Sequence, residues 1–235
     1  IMLVYGRNVA ERIFKDEKLL KKVRKLKIEE KYYLKIQNLL GEFSKSKIKL
    51  ARKSEIDNLT KDNHQGIIID MEDYQYTSLN KILEKEYDKV LILDHILDPH
   101  NFGAIIRTAV AAGFNAIIIP NDRQVLVNST VVKTSVGAVF DIDIVLVTNI
   151  NNTIKTLKDN GFWIYGTVMN GEDYRDVNYD GKTCLVIGNE EKGMSKLVKE
   201  SCDFLVTIPI SPKIDSLNAS VAAGILIYEV VRSRK

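Results

Sequence analysis

Residues 89–109 read K-V-L-I-L-D-H-I-L-D-P-H-N-F-G-A-I-I-R-T-A. The first six positions are an apolar run that starts on Lys89 and closes on Asp94. A strand buried on both faces reads as a near-continuous hydrophobic run rather than an alternation, so Lys89–Asp94 is expected to be a parallel strand. The small and apolar residues after Asn101 then predict a helix that begins at Asn101 and carries Arg107. Gly103 permits close backbone approach to that helix. Outward from this unit the same kind of run recurs at Ala116–Ile119, Ile142–Val147, Phe162–Thr167, Thr183–Ile187 and Phe204–Ile208. Apolar strands separated by helical stretches predict an α/β fold, a parallel sheet with helices on both faces.

Upstream, residues 1–75 read as a small, separate α/β module. Leu3–Tyr5 is a short strand opening on Gly6, Asn8–Phe14 a helix, and Leu19–Leu26 alternates apolar and basic residues as a strand does. From Glu29 to Phe43 the positions Tyr33, Leu34, Ile36, Leu39 and Leu40 fit helical spacing, with Gly41 and Ser44 marking the end. Ile48–Leu50 is a strand, Ser54 is placed to cap a helix ending near Leu59, and Gly66–Met71 is a last apolar strand. Glu72–Ser78 is polar and aromatic without core periodicity. The expected division is therefore 1–75, a linker over 76–88, and 89–235.

The composition excludes several classes. Of 235 residues 45% are hydrophobic and 28% charged, which is ordinary for a soluble globular chain and unlike disordered or collagenous sequences. Two cysteines, Cys184 and Cys202, are too few for a disulfide scaffold and imply a cytoplasmic, reducing setting. No apolar run reaches the roughly 20 residues that span a bilayer, so no membrane association is expected. Neither a Gly-x-Gly-x-x-Gly turn nor a P-loop occurs. The stretch Asp94–His100 holds four groups able to bind a metal, but no matching cluster exists elsewhere and no metal is expected. His64, beside Gln65 and Gly66 at the start of a strand, could contact a ligand, but with no partner in view it reads as a structural or surface histidine.

The net charge of +3 conceals an asymmetry. Residues 1–75 carry 17 Lys/Arg against 12 Asp/Glu, or +5, whereas residues 76–235 carry 17 against 19, or −2. Between Arg12 and Lys53, 15 basic residues face 5 acidic ones. Such a patch suits a polyanion, because neutralising phosphates releases counterions; a solvated face is the alternative. Tyr32, Tyr33 and Phe43 interleave with the patch and, where exposed, could stack on unpaired bases.

Three segments place polar residues at the carboxyl end of an apolar strand, where open α/β sheets bind ligands. They are Asn101-x-Gly103-x-x-x-Arg107, then Gly188-x-Glu190-x-x-Gly193, then Ser216-Leu217-Asn218-x-Ser220-x-x-x-Gly224. Either Ser216 or Asn218 can cap the small-residue helix that follows. Each segment alone could be a cap or a plain connection. In this order and together, they resemble the three signature motifs of the SpoU branch of the SPOUT RNA methyltransferases. The resemblance covers nearly the whole chain, including the opening Val4-Tyr5-Gly6 and the closing His64-Gln65-Gly66-Ile67. The stretches around Asp98–Gly103 and Gly188–Met194 look closest to the bacterial 23S rRNA guanosine 2′-O-methyltransferases.

That resemblance implies a sheet whose C-terminal segment is threaded into a trefoil knot, and a small N-terminal domain that binds RNA substrate. It implies S-adenosyl-L-methionine as cofactor, held by Gly188, Ile208, Leu217, Thr167, Asn189 and Gly193, with Thr167–Gly171 along the cleft. It gives Arg107 a role close to that of a base, with Asn101, Glu190, Ser216 and Asn218 positioning it and the ribose. A guanidinium is a poor proton acceptor, so binding the adjacent phosphate and stabilising a developing alkoxide is the alternative for Arg107. The family also implies a homodimer. A tRNA ribose methyltransferase and a catalytically silent RNA-binding protein are the competing functions.

Overall fold

The structure, a computed structural model, describes residues 2–41, 43–189 and 192–234. It divides into two compact units: residues up to Gln75 together with Val127–Gly137, and Tyr76–Leu126 together with Ala138 onward.

The first unit is a four-stranded sheet flanked by short helices. Its strands are β1 (Met2–Tyr5), β2 (Val23–Glu29), β3 (Ile48–Ala51) and β4 (Ile67–Met71), in the order β1-β4-β2-β3. β4 runs antiparallel to both neighbours and β2 parallel to β3. The helices are α1 (Arg7–Lys15), α2 (Glu17–Lys21), α3 (Glu30–Leu40) and α4 (Lys53–Asp57). Leu19–Leu26 is not one strand. Asp16 accepts hydrogen bonds from the amides of Lys18 (2.8 Å) and Leu19 (3.2 Å), and this cap starts α2 before the chain turns into β2. Ser54 is likewise not a cap. α4 begins one residue earlier, and Glu55 Oε2 accepts from the Arg52 amide at 2.8 Å. α3 ends at Leu40, where Gly41 turns out of the helix at φ 48°. Tyr32 and Phe43 are buried, so of the three interleaved aromatics only Tyr33 keeps part of its surface. His64 is buried, its Nε2 is 2.7 Å from Asp57 Oδ1, and its Nδ1 accepts from the Gly66 amide at 2.9 Å. It fixes the turn into β4.

In the second unit all six strands are parallel, in the order β10-β8-β9-β5-β6-β7. They are β5 (Lys89–Asp94), β6 (Ala116–Pro120), β7 (Asp143–Val147), β8 (Phe162–Asp173), β9 (Lys182–Gly188) and β10 (Phe204–Thr207). The helices are α5 (Leu79–Glu84), α6 (Pro99–Ala111), α8 (Ile150–Asp159), α9 (Lys196–Ser201) and α10 (Ala219–Ser233). The short α7 (Ser129–Thr134) packs with the first unit. Ile82, Ile92, Ile118, Leu157, Ile164 and Val186 lie in one buried cluster. Ile82 belongs to α5, so the stretch expected as a linker over 76–88 is a capped helix contributing to the core. A polar cluster pins the same stretch, because Thr77, Lys85 and Tyr87 all donate to Asp143 at the start of β7.

Two features shape the carboxyl edge of this sheet. β8 is six residues longer than Phe162–Thr167, and its register with β10 jumps. Leu205 pairs with Gly166, but Val206 pairs with Glu172, so residues 167–171 bulge out of the ladder. At the opposite edge, Arg234 holds the end of α10 to the sheet. It donates to Asp88 Oδ2 at 2.7 Å, to Thr183 Oγ1 at 2.8 Å and to the carbonyls of Tyr179 and Gly181.

Candidate active site

A cleft of about 300 Å³ opens at the carboxyl ends of β8, β9 and β10. Three of its walls come from the bulge (Thr167–Met169), the end of β9 (Ile187–Asn189) and the stretch leaving β10 (Val206–Ile208 and Asp215–Leu217). The fourth is the first turns of α10, through Ala219, Ala222 and Leu226. All six residues expected to hold a cofactor, Thr167, Gly188, Asn189, Gly193, Ile208 and Leu217, line this one cleft.

Glycine is required at position 188 by a close backbone approach. A Cβ there would lie 2.5 Å from both the Gly193 carbonyl carbon and the Met194 nitrogen. The tight return is completed by Asn189 and Gly193, whose backbones exchange hydrogen bonds of 3.2 and 2.9 Å, with Gly193 in the left-handed region at φ 64°. Asn189 also accepts from the Lys192 amide at 3.1 Å through Oδ1. Its Nδ2 donates to the His95 carbonyl at 2.8 Å, tying this loop to the end of β5. The far end of the loop is tied to the same place. Asp94, 1% exposed, accepts from the Ser195 amide at 3.0 Å, and its other oxygen is 2.5 Å from His95 Nδ1. Sequence reading saw Asp94 only as the close of an apolar strand, or as one of four candidate metal ligands. Its partner lies 101 residues away, and no local signal announces that pairing.

The first and third motifs meet beside the cleft. α6 starts at Pro99 rather than Asn101, because Asp98 accepts from the His100 amide at 2.8 Å and proline fits the first helical position. Asn101, freed from capping, accepts a hydrogen bond at Oδ1 from Asn218 Nδ2 at 2.9 Å. Asn218 is the cap of α10: its Oδ1 accepts from the amides of Ser220 (2.9 Å) and Val221 (3.3 Å). The choice between Ser216 and Asn218 is thus settled, and Ser216 lines the cleft instead. Arg107 lies on α6, exposed, and makes no hydrogen bond or ion pair with another described residue. Glu190 lies outside the described residues. Asp215, Ala222 and Leu226 also line the cleft, where sequence reasoning did not place them. Burial pushes the Cys184 thiol up and that of Cys202 up to about 12, so neither offers a thiolate near neutral pH.

Residues 88–228 match the profile of the SpoU rRNA methylase family. A protein of Staphylococcus saprophyticus, carrying a TrmH-family tRNA/rRNA methyltransferase name, is 46% identical over 201 residues, covering 83% of this chain and 81% of its own. The AdoMet-bound crystal structure of an rRNA methyltransferase from Sinorhizobium meliloti superposes with a TM-score of 0.82 at 27% identity, over 98% of this chain and 87% of that one. The crystal structure of the A. aeolicus TrmH/SpoU tRNA modifying enzyme gives a TM-score of 0.58 at 30% identity, over 66% of this chain and 84% of that one. With residues of the second and third motifs lining one cleft, the first motif joined to the third by the Asn101–Asn218 hydrogen bond, and more than half its length matched, the chain belongs to the SpoU rRNA methylase family.

Proposed function

We propose that the protein transfers the methyl group of S-adenosyl-L-methionine to a ribose 2′-hydroxyl of RNA, with a guanosine of 23S rRNA as its target. The observation that carries this reading is the convergence of the three motifs: a cleft lined by the second and third, and the Asn101–Asn218 hydrogen bond joining the first to the third beside it. The residues fit the cofactor. Apolar side chains and glycine-exposed backbone make a slot for a flat heterocycle with backbone donors and acceptors at its edge, as small-ligand sites require. The cofactor supplies a methyl group on a sulfonium, which leaves as a neutral thioether.

The acceptor hydroxyl is then the difficult partner, since its proton is held tightly near neutral pH. Asn101 and Asn218 fix each other's amide planes, so one can present a donor or acceptor to the ribose without swinging. A guanidinium such as that of Arg107 is, by its chemical class, a poor proton acceptor. It serves best by binding a neighbouring phosphate and stabilising negative charge that develops on the ribose oxygen, with a phosphate oxygen or water accepting the proton. Glu190 and Ser216 complete the set that orients the ribose.

The division of labour follows the charge: the basic first unit holds RNA and the second binds cofactor. The alignment with the Sinorhizobium rRNA methyltransferase spans both units, whereas that with the tRNA modifying enzyme covers 66% of the chain, which favours rRNA. The same reading has the C-terminal segment threaded as a trefoil knot. It also has two copies pairing through α10, where Val221 (50% exposed) and Tyr228 (53%) present apolar surface. Incubation with methyl-labelled S-adenosylmethionine and total RNA, followed by mapping of the label, tests the proposal. Label on a guanosine ribose in 23S rRNA is expected. Label confined to tRNA would replace the target, and no label in any RNA would overturn the enzyme reading.

A further inference from the structure

In the first unit, two sequence-distant segments that the cleft does not use come together around Arg7. The Arg7 amide donates to Gln65 Oε1 at 2.8 Å, and its Nε donates to the Gln65 carbonyl at 3.0 Å. Its guanidinium carbon lies 4.6 Å from the centre of the Tyr32 ring. A hydrogen bond at Nε and a ring beneath hold the guanidinium plane, while Arg7 is exposed and its terminal nitrogens make no hydrogen bond to a described residue. The Tyr32 hydroxyl is buried without a hydrogen-bond partner among the described residues. Lys31 and Lys35, one turn apart on α3, line the same small hollow of about 40 Å³, together with Arg7, Tyr32 and Glu29. Glu29 is set against Gly66, where a Cβ would lie 2.9 Å from its carboxyl carbon.

We infer that this hollow is a binding site for a backbone phosphate of the RNA substrate, centred on Arg7 with Lys31 and Lys35 as flanking cations. A guanidinium fixed at Nε and stacked on a ring presents its two terminal nitrogens as a fork, which matches two oxygens of one phosphate. Three cations outnumber Glu29, the one carboxylate among the described residues lining the hollow, and Glu11, which acts electrostatically on Tyr32. Glu29 opposes the anion and limits how tightly the site holds it, which suits an enzyme that must release its product. The inference rests on the RNA methyltransferase reading and adds to it the place where the substrate backbone is gripped.

The test measures binding of transcribed 23S rRNA to the full-length protein across a salt series, with S-adenosylmethionine affinity as a check on the fold. Each phosphate contact contributes a little under one to the slope of log K against log salt, so Arg7→Ala should lower that slope by about one and weaken binding about tenfold. Arg7→Lys, which keeps the charge and loses the fork, should keep the slope and still bind about threefold more weakly. Lys31→Ala with Lys35→Ala should weaken binding with a smaller change in slope than Arg7→Ala, because the two lysines flank the same phosphate and Arg7 still neutralises it. Glu29→Gln should act in the opposite direction and tighten binding about twofold, an outcome that loss of structure would not produce. Cofactor affinity should be unchanged in all four. Wild-type RNA binding with an unaltered slope in Arg7→Ala would overturn this site alone. Failure of the wild type to bind or methylate any RNA would overturn the functional reading and the site with it.

Discussion

Asn218 and Asn101 are 117 positions apart, and the Nδ2 of one donates to the Oδ1 of the other at 2.9 Å while Asn218 Oδ1 caps α10. One side chain thus performs two separable tasks with its two polar ends. Asn218→Asp keeps an acceptor for the amides of Ser220 and Val221, and its charge suits a helix N-terminus, so stability should hold. It loses the donor to Asn101 and sets a carboxylate against that amide's oxygen. Turnover should fall about 100-fold while Tm stays within a few degrees. Asn218→Ala should lose both tasks, lowering stability by about 1 kcal/mol as well. Thermal unfolding alongside single-turnover kinetics separates the two. Wild-type turnover in Asn218→Asp would show that the Asn101 link has no role of its own.

The loop between Gly188 and Ser195 is held to the end of β5 by two hydrogen bonds, from Asn189 Nδ2 to the His95 carbonyl and from the Ser195 amide to buried Asp94. Ser195 also caps α9, its Oγ accepting from the Val198 amide at 3.4 Å, so a direct substitution confounds two effects. A pair of variants isolates one. Ser195→Ala loses the cap and keeps the amide donor. Ser195→Pro loses both, yet φ at this position is −61°, where proline is unstrained. The difference between them is the bond to Asp94. Proline should weaken S-adenosylmethionine binding about tenfold beyond alanine, because a buried carboxylate loses a donor beside the loop that lines the cleft. Isothermal titration gives the two affinities, and matching values would remove Asp94 from the positioning of that loop.

Much of the architecture is legible in the chain because it is written in apolar runs. The β5 strand, Lys89–Asp94, was readable to the residue, and of the six residues expected at the cofactor that line the cleft, Gly188, Asn189, Gly193 and Leu217 lie in the second and third motifs, whereas Thr167 and Ile208 came only from the resemblance. Two of the misses share a physical origin: a local hydrogen bond between side chain and backbone overrode the periodicity. Asp16 turned an alternating stretch into a helix, and Asp98 moved the start of α6 two residues upstream of Asn101. The linker expectation failed differently. Residues around Thr77, Lys85 and Tyr87 look like loop residues because they are polar, but their polarity is spent on Asp143, more than fifty positions away, and short-range patterning carries no trace of such a partner. Asp94 with Ser195 is the same case inside the site.

Asp143 also predicts how the second unit responds to acid. Burial would raise its carboxyl, but hydrogen bonds from Lys85 (2.6 Å), Thr77 (2.7 Å) and Tyr87 (2.7 Å) outweigh burial and hold it below the ordinary value of 3.8. A group depressed in the folded state adds stability that is fully present above its unfolded value and disappears as pH falls through the folded one. This contribution is therefore intact at neutral pH and should be lost only below about pH 4. Asp143→Asn should be less stable than wild type at pH 7 and show a shallower loss of stability between pH 4 and pH 2, measured by urea unfolding at each pH. Parallel acid limbs in the two proteins would assign the acid sensitivity elsewhere.

Arg107 offers the sharpest test of the chemistry, because the two roles open to it differ in what lysine can replace. As a base, Arg107 would have to lose a proton, and a guanidinium does so only above about pH 12. Lysine, with an ordinary value of about 10.4, would then be the better base, and Arg107→Lys would gain a rising limb in its pH–rate profile toward that value. As a fork on phosphate and on the developing ribose oxyanion, Arg107 is needed for geometry as well as charge. Arg107→Lys should then lose about tenfold in kcat with a profile of unchanged shape, and Arg107→Ala about 100- to 1,000-fold. Cofactor affinity should stay constant in both, since Arg107 is exposed on α6 and is not among the residues lining the cleft. Near-full activity in Arg107→Lys would exclude the fork, and a new alkaline limb would restore the base.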